Sequence, residues 1–131
     1  TDVTGFGLLG HAREMALASK VTIEIDHRKI KALPGALEAI RQGFLPGGLK
    51  NNREFASCSV AVAPNVPAEI ETLFYDPQTS GGLLLAIQPG RLSRFMDRAR
   101  EAEVPAWIVG AVEEGAGIVV RAGETSVELE Q

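Results

Sequence analysis

With 131 residues, the chain has the length of one domain and can bury roughly two thirds of its unfolded surface, so neither a disulfide nor a structural metal is required for folding. Its 45% hydrophobic and 23% charged residues are ordinary globular values, and a 5% aromatic content makes the core mainly aliphatic. A net charge of −4 without a Lys/Arg cluster argues against nucleic-acid binding, the single Cys58 excludes an internal disulfide and a cysteine-based zinc cluster, and no apolar run approaches the ~18 residues of a membrane span.

Thr4 is a good N-cap, and Leu8, Leu9, Ala12, Met15 and Ala16 follow at helical spacing, which predicts an amphipathic helix over residues 5–18. Three glycines in its first turns call for close backbone packing or a ligand near its N-terminus. Residues 21–25 alternate apolar and polar with period two and predict a half-buried strand, followed by a turn at 26–29. Leu33, Leu37 and Ile40 mark a short helix with Pro34 in its first turn and Gly43 as its stop. Residues 44–52 are glycine-rich and predict a loop, and residues 57–63 allow a weak strand. Pro67 opens a helix whose buried stripe is Ile70, Leu73 and Phe74, with Glu69 and Glu71 near the positive end of its dipole.

Residues 76–82 then form a shaped turn, because Pro77 fixes φ and Gly81-Gly82 allow φ > 0 or close backbone approach. The turn feeds residues 82–87, an apolar run without polar alternation that reads as a central strand covered on both faces. Leu92, Phe95, Met96, Ala99 and Ala102 predict a helix over residues 90–103, its arginines interleaved with acids as a solvated outer face. Residues 106–112 and 118–120 read as two strands of a hairpin, and residues 125–129 as a short edge. Strands mixed with helices predict one α+β domain over residues 1–131, a mixed sheet flanked by helices in layers, α/β/α.

The candidate chemistry is thin. The 76–82 turn lacks a following lysine and enters a strand, whereas a phosphate loop leaves a strand and opens a helix. Cys58 has no neighbouring His or Lys to activate it and reads as a small buried filler rather than a nucleophile. His11 and His27 lack a ligand spacing and read as surface or helix-face residues. Asp2 has two readings: a cap on residues 3–5, or one carboxylate ligand of a Mg²⁺ whose other ligands come from elsewhere.

Two segments, Thr1-Asp2-Val3-Thr4-Gly5-Phe6-Gly7-Leu8-Leu9-Gly10-His11 and Asp76-Pro77-Gln78-Thr79-Ser80-Gly81-Gly82-Leu83-Leu84, closely resemble selenophosphate synthetase, or selenide, water dikinase, within the aminoimidazole ribonucleotide synthase superfamily. Their order and separation, with Gly47-Gly48-Leu49 and Asn52 between them, look like the C-terminal half of that enzyme. The resemblance implies a phosphotransferase that makes selenophosphate, AMP and orthophosphate from ATP, selenide and water with Mg²⁺, for selenocysteine and selenouridine synthesis. It also implies a homodimer when full-length, in which this domain partners its own N-terminal domain; the cytoplasm is the default location from the single cysteine and the lack of a membrane-span-like or signal-like run. The family's reactive Cys or selenocysteine, its essential Lys and most metal-binding aspartates precede the matched region, and Cys58 does not match that Cys. Only Asp2 carries over, as a Mg²⁺ ligand, and no catalytic residue falls within the chain. Because Thr1 opens directly on motif sequence, the chain is expected to be a piece of a longer enzyme, inactive and without tightly bound ATP or metal when alone. Two other readings stand beside this one. The first is a related superfamily kinase or synthase, such as a thiamine-phosphate kinase or hydrogenase-maturation protein; the second is a non-catalytic docking module.

Overall fold

Four strands form one mixed sheet in the computed structural model, which describes residues 1–123. Strand β1 (Val21–Asp26) has the expected alternation and buries Ile23 and Ile25. The other strands are β2 (Val60–Val62), β3 (Gly110–Glu114) and β4 (Gly117–Arg121), in the order β2-β4-β1-β3. β4 runs parallel to both β1 and β2, and β3 runs antiparallel to β1. The α+β class and the mixed sheet agree with expectation.

The expected hairpin does not form. β3 and β4 are joined through Gly115 and Ala116, yet β1 lies between them. Burial decides the arrangement: Ile118 and Val120 of β4 enter the core, whereas every residue of β3 is exposed and suits an edge. The crossing also needs glycine at its end, since Gly117 has φ +102° and a Cβ there would lie 2.6 Å from the Ser59 carbonyl oxygen.

Residues 82–87 are not the central strand. They remain outside the four-stranded ladder and make one antiparallel bridge, Leu83 to Asp2, with Leu83 71% and Leu85 48% exposed and only Leu84 packed on the core. The two inner positions of the sheet are taken by β1 and β4. The apolar run finds its backbone partners in the first residues of the chain instead.

Helix α1 (Gly7–Ser19) lays Leu9, Ala12 and Ala16 against β1 and β4, the i, i+3, i+7 stripe of one helix face. Its N-cap is Phe6, not Thr4. Helix α2 (Ala36–Arg41) matches the expected short helix, and the chain turns at Gly43 with φ +81°. The loop expected over residues 44–52 is instead largely helix α3 (Gly47–Ala56). Pro46 caps it in extended conformation, its two glycines occupy the first turn, and burial of Leu49, Asn52 and Ala56 outweighs their low propensity. Helix α4 (Ala68–Phe74) follows Pro67 as expected, packs on α2 and buries Phe74. Helix α5 (Pro89–Glu101) has the expected amphipathic stripe, but Leu92, Phe95, Met96 and Ala99 are only half-buried and no residue is fully buried. The covering layer expected from α5 is therefore not formed by buried contacts, whereas α1 does cover the sheet. Residues 125–129, expected as an edge, lie outside the described residues. No helix among the described residues is long and apolar enough to cross a membrane.

Candidate functional site

The two motif segments, 65 or more residues apart along the chain, meet as antiparallel backbone. Thr1 and Leu84 exchange two hydrogen bonds, N–H to O at 2.8 Å from Leu84 and 2.9 Å from the terminal ammonium. Val3 N–H donates to Gly82 O at 2.8 Å, Gly81 N–H donates to Val3 O at 2.9 Å, and Gln78 N–H donates to Thr4 O at 3.1 Å. Val3 thus bonds to two successive residues, a bulge that shifts the pairing as the strand enters the turn. A side chain at Gly81 would collide with it, because its Cβ would stand 2.7 Å from Val3 O. Asp2 sits between these anchored neighbours with its side chain exposed.

Behind Asp2, the chain turns through Thr4–Gly7 into α1. Gly7 has φ +73°, and a Cβ there would lie 2.9 Å from the Tyr75 carbonyl carbon and 3.0 Å from the Asp76 oxygen. Gly7 therefore serves close backbone approach, whereas a Cβ at Gly10 would meet the Phe6 side chain and Gly5 faces open space. The Thr4 hydroxyl does not cap the helix; it lies 2.9 Å from His11 Nε2, which also receives the Phe6 N–H at 3.3 Å. A backbone N–H only donates, so Nε2 accepts, the Thr4 hydroxyl donates, and the ring proton resides on Nδ1. His11 is accordingly a half-buried pin of the 4–7 turn, with the Phe6 ring centroid 5.2 Å away.

The third segment enters through α3. Asn52 is 6% exposed, and its Nδ2 donates to Gly5 O at 2.8 Å and to Tyr75 O at 3.0 Å. Gly48 lies against the Pro77 ring, where a Cβ would be 3.4 Å away. Next to Asn52, Arg53 stacks 5.0 Å from the Tyr75 ring centroid and donates to Thr72 Oγ1 at 2.8 Å. Reading the segment as a loop concealed these contacts; the Leu49, Asn52, Ala56 spacing was the available signal.

Burial pushes the Asp76 carboxyl above its ordinary value. Among the described residues, no group of three or more His, Cys, Asp or Glu is placed to hold a metal ion. Asp2 suits Mg²⁺ as one ligand among several: a hard oxygen donor, exposed, on a strand fixed by backbone bonds to either side. Cys58 is exposed on the single helical turn Ser57–Ser59, not the buried filler expected, because that turn lifts it out before β2 begins. His27 is buried at the end of β1, contrary to a surface position, since its turn folds back beside the sheet. Neither residue belongs to the assembly of the three segments.

The chain matches AIR synthase related protein, C-terminal domain, over residues 1–123. It is 43% identical over 112 residues to a selenide, water dikinase of Clostridium botulinum (strain Eklund 17B / Type B), an alignment covering 86% of this chain and 32% of the relative. A selenide, water dikinase of Clostridioides difficile (strain 630) is 40% identical over 113 residues, with 86% and 32% covered. One of Shigella flexneri is 40% identical over 129 residues, with 98% of this chain and 35% of the relative covered. The chain therefore spans about a third of the length of these curated relatives. The matched residues include all three segments that assemble around Asp2 and Asn52, and the chain belongs to the AIR synthase related protein family as its C-terminal domain.

Proposed function

We propose that the chain is the C-terminal domain, residues 1–131, of a selenide, water dikinase, which converts ATP, selenide and water to selenophosphate, AMP and orthophosphate for selenocysteine and selenouridine synthesis. The observation that carries this reading is the joining of the three motif segments by direct hydrogen bonds into one anchored turn with Asp2 on its open side. In this reading Asp2 supplies one carboxylate to Mg²⁺, and aspartates of the N-terminal domain supply others. Mg²⁺ bound to ATP there neutralises phosphate charge and orients the phosphoryl groups. The residues of this domain act by holding: the Thr1–Thr4 strand fixes the Asp2 backbone, and His11 fixes the turn behind it.

The nucleophilic Cys or selenocysteine and the essential Lys belong to the N-terminal domain in this reading, so the C-terminal domain alone is inactive and binds ATP weakly. Its partners are that domain and, in the full-length enzyme, a second copy. The length of the relatives outside the matched region and the exposed Leu83 and Leu85 beside Thr1 support an apolar partner at this edge. An exposed free cysteine suits a reducing cytoplasm.

The test is turnover by the full-length protein with ATP, Mg²⁺ and selenide under reducing, anaerobic conditions. AMP formation that requires selenide and matches selenophosphate formation is the expected result. ATP turnover unchanged when selenide is omitted points instead to another superfamily kinase or synthase and contradicts the assignment.

A further inference from the structure

We infer that Asn52 is a positioning residue for the Asp2 carboxylate, one amide that locks the strand bearing Asp2 to the chain entering the 76–82 turn. The inference rests on the reading of Asp2 as a Mg²⁺ ligand. Both of Asn52's partners are carbonyl oxygens, so the amide nitrogen must face them and both of its hydrogens are used. Its acceptors are Gly5 O, three residues after Asp2, and Tyr75 O, one residue before Asp76. The direct bonds between the two segments run from Thr1 with Leu84 to Thr4 with Gln78. Asn52 joins them again beyond that point, through Gly5 O on one segment and Tyr75 O at the entry to the other. The result is a closed frame with Asp2 at one end and Asn52 at the other.

The frame is stiff because it is supported from the core side. Asn52 lies on α3 between buried Leu49 and Ala56, so its backbone is set by packing rather than by the site. Gly7 lies against the backbone of residues 74–76 beside the same acceptor, so close that a Cβ there would stand 2.9 Å from the Tyr75 carbonyl carbon and push the two segments apart. An aspartate at position 52 would set a carboxylate oxygen against two carbonyl oxygens. A leucine keeps the volume and removes both donors.

The experiment compares Asn52→Leu and Asn52→Asp with wild type in the full-length enzyme. Mg²⁺ binding by calorimetry in the presence of a non-hydrolysable ATP analogue should weaken by about 10- to 100-fold, as for other residues that orient metal ligands. The Mg²⁺ concentration giving half-maximal rate should rise likewise, with the rate at saturating Mg²⁺ largely recovered. Amide hydrogen exchange should quicken at Val3 and Gly81 while Ile25 and Val120 stay protected. Lower melting temperature with unchanged Mg²⁺ affinity and unchanged exchange at Val3 and Gly81 would assign Asn52 to packing alone and overturn the inference. Asn52→Ser, which keeps one donor and adds no bulk, is read by the same criteria should the other two fail to fold. Asp2→Asn separates the two possible failures. Wild-type Mg²⁺ affinity in that variant removes the metal reading itself, whereas weakened affinity there with normal affinity in the Asn52 variants removes only the positioning role.

Discussion

Gly7 shows how a single missing Cβ organises the site. Its φ of +73° and the backbone of Tyr75 and Asp76 at about van der Waals limits leave no space for a methyl group. Gly7→Ala should destabilise the domain by about 2–4 kcal/mol, combining left-handed strain with overpacking against main chain. Urea unfolding reads the effect, and an unchanged midpoint would mean that the turn has an alternative path. Asp26 makes a different residue-scale contribution. Arg28 donates to both of its oxygens, at 3.1 and 3.0 Å, and holds the carboxyl well below its ordinary 3.8. Because the folded value lies below the unfolded one, the pair stabilises above about pH 4 and the contribution is lost as pH falls from there. Arg28 is half exposed, so solvent weakens the pair. Asp26→Asn should flatten the acid side of the stability profile between about pH 4.5 and 2.5; parallel profiles would contradict the pairing. At this scale Asp2 and the motif glycines were legible as special residues, since glycine inside a helical pattern demands a reason. Asn52 was not, because the glycines that open α3 read as a loop and left the 49, 52, 56 spacing, with its polar middle member, as the single signal of a helix.

The elements follow a similar division. β1 was legible from Val21-Thr22-Ile23-Glu24-Ile25, where alternation alone gives a half-buried strand. The place of each strand was not, because neighbours in the sheet are chosen by competition among distant segments. Residues 110–121 carry a hairpin-like turn, but β4's Ile118 and Val120 gain more burial between β1 and β2 than beside β3. The run at residues 82–87 is more apolar than either inner strand and still pairs with the chain's first residues. Its glycine-rich entry at Gly81 and Gly82 bonds to Val3 and thereby sets its direction. This division predicts unequal costs of truncation. Ile25→Ala, at a fully buried position of β1, should cost about 2–5 kcal/mol. Val112→Ala, 49% exposed on edge strand β3, should stay within about 0.5 kcal/mol. Denaturant midpoints for the two variants check this, and comparable losses would place β3 in the core.

For the whole molecule, the α+β class was legible from the mixture of patterns, and the family from segments whose residues meet in space. The layered cover expected from α5 was not, because a helical stripe states that a face seeks cover without stating what provides it. The proposed metal site has the same character: in that proposal this chain contributes Asp2, and the remaining ligands lie on residues outside it. The isolated domain should accordingly show no micromolar binding of ATP with Mg²⁺ by calorimetry, and such binding would place a complete nucleotide site within these residues. The most direct test of Asp2's role is selenide-dependent AMP production by full-length wild type and Asp2→Asn across a Mg²⁺ titration, since the amide keeps the shape and removes the charge. Strong loss of activity, most severe at limiting Mg²⁺, is the predicted result. Wild-type rates at limiting Mg²⁺ would contradict it and return Asp2 to a purely structural part of the strand.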